Sequence, residues 1–356
     1  MLIAGLYFAA GLILLLGGAH LLVNSASRLA VRFGIPAIFI GVTVVAFATS
    51  APEIAVSIDA VIDGSVGLAL GNVVGSNIAN ILLILGLSAI IAPIEVTKRI
   101  VWLDIPIMIL ATVVVYLLAL DQLLSPLDGI IMLILFTGFM VFQIYQARTG
   151  KETVNSSDDS ITGKSYNPYL QALWLVLGLA ILGLGAHLLV ENSIAIARLF
   201  GMSELIIGLT IIAIGTSLPE LATSVLAAGR NESDLSVGNV IGSNIFNLLL
   251  VLSISALFSG KGLPISDAAI GLDIPFMIAV SVACLPIFFT GHVIARWEGV
   301  VFVGYYAAYL LFLFLDSTQH EYLPLFNNVM AIFVVPITFL TLLIFVFRSR
   351  KNSSNG

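Results

Sequence analysis

The sequence predicts an all-α polytopic membrane protein: two inverted five-helix repeats plus an extra C-terminal transmembrane helix, with helices 2 and 7 discontinuous. Three observations predict it. Hydrophobic residues make up 60% of the 356 and charged residues only 10%, where a soluble domain carries roughly a quarter charged. Apolar runs long enough to cross a ~30 Å hydrocarbon core follow one another along the chain, and mean hydropathy is +1.13. The first half of the chain is also written again, in altered spelling, in the second.

The first run, 3–26, has the hydropathy of a signal peptide but no basic n-region. Its "GAHLLV" at 18–23 returns at 185–190, so it is read as a transmembrane helix. Further runs fall near 36–61, 67–91, 100–120 and 126–147. The polar stretch 147–168, rich in Ser, Thr, Gly and Asp, has no apolar periodicity and reads as a flexible linker. Its Asp158 and Asp159 lack the alternating acids and central glycine of an EF-hand loop. Five more runs follow near 169–197, 204–228, 236–258, 269–290 and 295–315, and an eleventh near 324–347. The predicted organisation is a first repeat over 1–147, a cytoplasmic linker over 148–168, an inverted second repeat over 169–315, and an extra helix with a cytoplasmic tail over 316–356.

Lys and Arg set the orientation, because cytoplasmic loops retain them. With the N-terminus outside, twelve of the fourteen fall on the cytoplasmic side, and only Arg198 and Lys261 lie outside. An odd number of spans then puts the C-terminal "RSRK" inside. The expected location is the cell membrane. Without a basic patch interleaved with aromatics, nucleic acid is not an expected partner. Cys284 is the only cysteine and lies in an apolar run, which excludes a disulfide framework or a cysteine metal site. The sequence leaves room for a homo-oligomer without indicating one.

At an offset of 167, "GVTVVAFATSAPEIAVSIDA" (41–60) matches "GLTIIAIGTSLPELATSVLA" (208–227) at ten of twenty positions. "GNVVGSNIANILLIL" (71–85) matches "GNVIGSNIFNLLLVL" (238–252) at eleven of fifteen. Further on, "DIPIMI" (104–109) pairs with "DIPFMI" (273–278). Five spans per copy is odd, so the second copy enters from the opposite face. Inverted repeats are an architecture of secondary transporters, whose site lies near the bilayer midplane between the repeats.

Within that frame, Pro52 and Pro219 each remove a backbone donor inside a span. Freed carbonyls are tolerated at membrane depth only where they line a polar cavity. This points to the carbonyls of Ala46, Thr49, Ala213 and Thr216 and the hydroxyls of Thr49, Ser50, Thr216 and Ser217. Glu53 and Glu220 follow the prolines. A carboxylate at mid-membrane costs ~2.5–3.5 kcal/mol on the lenient scale, and two facing each other repel unless a cation lies between them. On a helix, Ser76 and Asn80 share a face, as do Ser243 and Asn247. Two acids among amides, hydroxyls and carbonyls form a hard-oxygen set suited to calcium, sodium or magnesium.

These motifs, "GTSxPE" and "GNVxGSNIxN", resemble the cation/calcium antiporter superfamily and its prokaryotic sodium/calcium exchanger branch over residues 1–315. The resemblance implies one calcium and several sodium sites built from Ala46, Thr49, Ser50, Glu53, Ser76, Asn80, Ala213, Thr216, Ser217, Glu220, Ser243 and Asn247. Asn247 stands where some relatives carry an aspartate, which argues against the potassium-dependent branch. The expected activity is exchange of calcium for sodium by alternating access, with a proton-coupled calcium exchanger as the alternative. No cofactor is expected; the ions carried are Ca2+ and Na+, with H+ in the alternative. Neither an HExxH motif nor a nucleophile with its base supports an intramembrane enzyme. His20 and His187 read as interfacial packing residues, Asp104 and Asp273 as ordinary helix-start acids, and Asp59 and Asp63 as solvated rim charges.

Overall fold

The computed structural model describes residues 2–64, 66–149, 167–199, 213–289, 292–331 and 335. Among them, eight helices are long and apolar enough to span a membrane: Ala4–Phe33, Ala37–Ile62, Val66–Ile91, Ile100–Asp121, Pro126–Ala147, Pro168–Ile196, Ser233–Phe258 and Arg296–Asp316. The shorter apolar helix Ala269–Leu285 holds the place of span nine. Span seven is described from its middle onward, as Ala213–Gly215 and Leu218–Gly229. Most of the linker and most of the eleventh span lie outside the described residues; Leu323–Val329 is the described start of the latter.

Burial is distributed as a lipid solvent demands. Ile13, Trp102, Leu127 and Ile134 are exposed, while Thr49, Ser57, Thr223, Asn239 and Asn247 are wholly enclosed. In water the arrangement would be the reverse; in hydrocarbon, polar groups must find partners inside the bundle. Spans three and eight are the most enclosed, with 72% and 89% of their most apolar stretch buried against 33% for span one and 28% for span six. These two central helices carry the "GSN" segments.

Two short antiparallel ladders stitch the halves together. β1 (Ile94–Glu95) pairs with β4 (Val293–Ile294), and β2 (Leu123–Leu124) pairs with β3 (Leu263–Pro264). The repeat offset carries β1 onto β3 and β2 onto β4, so each ladder maps onto the other, as a two-fold axis between the repeats requires. Irregular turns repeat in the same way. The π-helical turns Asn80–Leu85 and Asn247–Val251 both begin on the motif asparagines, and Ile100–Asp104 and Ala269–Asp273 both end on the matched aspartates. Such turns concentrate at functional sites because the extra residue re-aims the side chains that follow.

Spans one and six lie against each other along a seam of glycines. A Cβ added at Gly18 would sit 2.4 Å from the Leu182 amide nitrogen, and one at Gly185 would sit 2.3 Å from that of Leu15. Gly11 and Gly178 meet the opposite backbone in the same way at 2.8 Å. Without a hydrophobic driving force between helices in lipid, such close backbone approach supplies the packing that holds the pair.

Asp104 immediately precedes the helix Ile105–Leu118, as a helix-start acid should, but it is also fully buried and paired. Its Oδ2 lies 3.3 Å from Arg99 Nε, and its Oδ1 accepts from Gln143 Nε2 at 2.9 Å. Arg99 also donates to Gln143 Oε1 at 2.5 Å and stacks over the Phe39 ring at 3.5 Å. An enclosed charge survives only when paired and hydrogen-bonded; this cluster meets that condition and ties spans two, four and five together. Its counterpart Asp273 is only partly buried.

Candidate cation-binding site

Ser50 alone breaks the first discontinuous helix, and Thr216 with Ser217 breaks the second. Ser50 (φ −80°, ψ 4°) separates Ala46–Thr49 from Ala51–Ile62, and Ser217 (φ −89°, ψ 8°) precedes Leu218–Gly229. Each proline falls in the first turn of the second segment, where its missing N–H is no loss. Each glutamate falls in that same turn, where the helix dipole favours a carboxylate. The "PE" dipeptide thus does two things: it restarts the helix, and it sets an acid against the positive end of the restarted segment.

The two acids are fully buried and held by exchange between the repeats. Ser50, from the first repeat, donates to Oε1 of Glu220 at 3.2 Å. Ser217, from the second, donates to Oε1 of Glu53 at 3.3 Å. Each Oε1 takes a second hydroxyl from its own repeat: Ser76 on Glu53 and Ser243 on Glu220, both at 3.5 Å. Each glutamate therefore has one oxygen saturated by donors, and both Oε2 atoms are buried without a hydrogen-bond partner.

The amides complete the polar layer asymmetrically. Asn80 Nδ2 donates to Asn244 Oδ1 at 2.9 Å, leaving Asn80 Oδ1 unpartnered. Asn247 is buried with neither amide atom hydrogen-bonded. Buried polar atoms almost always have a partner, and leaving one unpaired costs roughly 1–3 kcal/mol. Two carboxylate oxygens and two amide oxygens left over in one layer are what a cage of hard-oxygen ligands leaves for a cation.

Of the residues expected at the site, Ser50, Ser243 and Thr49 gather around Glu220, and Ser76 and Ser217 around Glu53, as two clusters that each draw on both repeats. Thr216 reaches Asn72, and Asn80 reaches Asn244. Ala213 opens the short helix Ala213–Gly215. The Ala46 carbonyl, expected bare, accepts the Ser50 N–H at 2.9 Å and the Thr49 hydroxyl at 3.4 Å. The carbonyl that Pro52 deprives of its helical donor is that of Ala48, two residues further on.

Sequence reasoning missed Asn72 and Asn239 together with Ser57 and Ser224, which pair with them. The signal was in the repeated "GNV": both asparagines lie four residues before the site serines, on the same helix face. Away from the site, His20 contacts Arg230, and His187 lies 3.5 Å from Glu191 within its own exposed helix face. Asp59 and Asp63 are exposed. Among the described residues, no three or more His, Cys, Asp or Glu side chains cluster as a metal centre.

Residues 3–145 and 170–315 match the family described as sodium/calcium exchanger protein. The sodium/calcium exchanger MaX1 of Methanosarcina acetivorans is 35% identical over 339 residues, covering 85% of this chain and 96% of that protein. Inner membrane protein YrbG of Escherichia coli is 39% identical over 289 residues, covering 79% of this chain and 87% of that protein. Among solved structures, the sodium-calcium exchanger NCX_Mj soaked with 10 mM Na+ and zero Ca2+ superposes with a TM-score of 0.74 at 34% identity, covering 86% of this chain and 98% of that one. An all-α bundle of inverted repeats, two reciprocally clasped acids at its centre and matches over nearly all of both halves lead to one assignment: the chain belongs to the sodium/calcium exchanger protein family.

Proposed function

We propose that this cation/calcium antiporter exchanges calcium for sodium by alternating access, the two ions competing for the cage around Glu53 and Glu220. The reciprocal clasp carries the reading. Each acid is oriented by the opposite repeat and keeps one oxygen free, so both carboxylates converge on one site instead of building two. Two charges neutralise one calcium or two sodium ions, and the neutral oxygens of Thr49, Ser50, Ser76, Asn80, Thr216, Ser217, Ser243 and Asn247, with the Ala46 and Ala213 carbonyls, supply the remaining ligands. The name of MaX1 and the sodium, calcium and strontium soaks of NCX_Mj support the same ion pair.

Coupling is tested in proteoliposomes. Calcium uptake is expected to follow an imposed sodium gradient and to persist when a protonophore clamps pH. Uptake driven as well by a pH gradient in sodium-free buffer would establish the proton-coupled alternative instead.

The charge bias favours an N-terminus outside and a C-terminus in the cytoplasm. Single cysteines in the 148–168 linker, in a background with Cys284 replaced, are expected to resist an impermeant maleimide applied to intact cells and to react after lysis. Labelling of intact cells would reverse the orientation.

A further inference from the structure

Two asparagines outside the expected ligand set, Asn239 wholly buried and Asn72 partly so, make the same three contacts in each repeat. Asn239 Nδ2 donates to Ser224 Oγ at 2.9 Å and to the Glu220 carbonyl at 3.5 Å, while its Oδ1 receives the Thr49 hydroxyl at 3.1 Å. Asn72 Nδ2 donates to Ser57 Oγ at 3.0 Å and to the Glu53 carbonyl at 3.3 Å, and its Oδ1 receives the Thr216 hydroxyl at 3.3 Å. In both cases the amide nitrogen serves the asparagine's own repeat, and the amide oxygen reaches across to the other.

This geometry removes a freedom that an amide normally has. The nitrogen and oxygen of an asparagine can be exchanged by a flip, and the choice follows from the partners. A peptide carbonyl only accepts, so the edge facing Glu220 must be Nδ2 and the edge facing Thr49 must be Oδ1. Thr49 is then the donor in this contact: its single hydroxyl proton has the Asn239 Oδ1 at 3.1 Å and its own helix's Ala46 carbonyl at 3.4 Å within reach, and the asparagine is the nearer acceptor. The lone pairs remain on the other side of the oxygen, toward Ser243 Oγ at 3.5 Å. A hydroxyl whose proton pointed into the cage would repel a cation; one turned this way can only attract it.

We propose that Asn239 and Asn72 are positioning residues for cation binding: each anchors on the backbone of its own repeat's site glutamate and fixes the proton of the opposite repeat's threonine, so that Thr49 and Thr216 present only acceptors to the ion. The proposal rests on the cage being the cation site. It makes the asparagine act through the threonine, which a general packing role would not require.

The test is a double-mutant cycle on sodium-driven calcium uptake by purified protein in proteoliposomes, measured as KM for calcium and as kcat. Asn239→Ala and Thr49→Val are each expected to raise KM about tenfold, the scale of one buried hydrogen bond, with a smaller change in kcat. The double variant is expected to stay near tenfold because the second change removes nothing further. Thr49→Ser, which keeps the hydroxyl, is expected to recover much of the loss seen in Thr49→Val. Effects that multiply to about a hundredfold, or an Asn239→Ala variant with unaltered KM, would overturn the proposal. The less enclosed Asn72 and Thr216 give a second, independent cycle should an Asn239 variant fail to fold. Glu53→Gln separates the two levels. Silent asparagines beside an inactive Glu53→Gln refute the positioning role alone, whereas full transport by Glu53→Gln refutes the cage and the positioning role together.

Discussion

Replacing Glu220 by Gln is expected to abolish sodium-driven calcium uptake, and Glu53→Gln is expected to do the same. Both side chains are fully buried, and their free Oε2 atoms have no partner among the described residues. At an effective dielectric of about 20 and about 4 Å, one unit of charge against another is worth about 4 kcal/mol. Removing one carboxylate charge should therefore weaken binding of a dication at least about a thousandfold. A monovalent ion should lose less, so residual sodium binding can outlast calcium binding. Neither repeat should rescue the other, because Ser50 serves Glu220 and Ser217 serves Glu53. Glutamine is close to isosteric and still accepts from the serines, which limits misfolding as an explanation; a monodisperse elution profile checks the point. Calcium uptake at the wild-type rate by a monodisperse Glu220→Gln protein would sink the paired-carboxylate site.

The second large effect is steric. A Cβ at Gly242 would lie 2.5 Å from the Val42 carbonyl oxygen and 2.7 Å from Ala46 Cβ. Both belong to backbone or to a side chain with nowhere to turn, so span eight or the first half of span two must move. Overpacking of this kind costs about 1–3 kcal/mol. It falls next to Ser243, a donor to Glu220, and one turn before the helix restarts at Ala51. Gly242→Ala is therefore expected to lower the unfolding temperature in detergent by several degrees and to cut calcium uptake more than tenfold. Gly5→Ala, where an added Cβ meets nothing within 4 Å, is the control. If Gly242→Ala melted and transported like the control, the close approach would have no structural weight.

The bundle was legible because lipid makes few allowances. A span needs its twenty apolar residues wherever it sits, and a duplicated motif reports its partner whatever the loops do. The acids were legible for the same reason, since Glu53 and Glu220 stand out against apolar neighbours. Less was visible where meaning depends on the facing helix. Asn72 and Asn239, each between a glycine and a valine, carry no local sign of a role; only the crossing of the repeats shows that they hold Thr216 and Thr49. Asp104, just ahead of a proline, has the local signature of a helix start. Its buried partners, Arg99 across a π-helical turn and Gln143 in the next span, are set by tertiary packing that no local pattern encodes. The bond on the Ala46 carbonyl is, by contrast, local: Ser50 supplies the ordinary donor four residues on, and Pro52 removes the donor of Ala48, not that of Ala46.

The exchange of serines between the acids also bears on how the two halves can change over generations. Ser50 and Glu220 are 170 positions apart, and Ser217 and Glu53 are 164 apart, yet each pair is one chemical unit. Loss of either of these serines would be felt by the acid of the other copy. In heredity the chain behaves as a heterodimer written on one backbone: a half-chain by itself would keep its acid and lose one of the two hydroxyls that aim it.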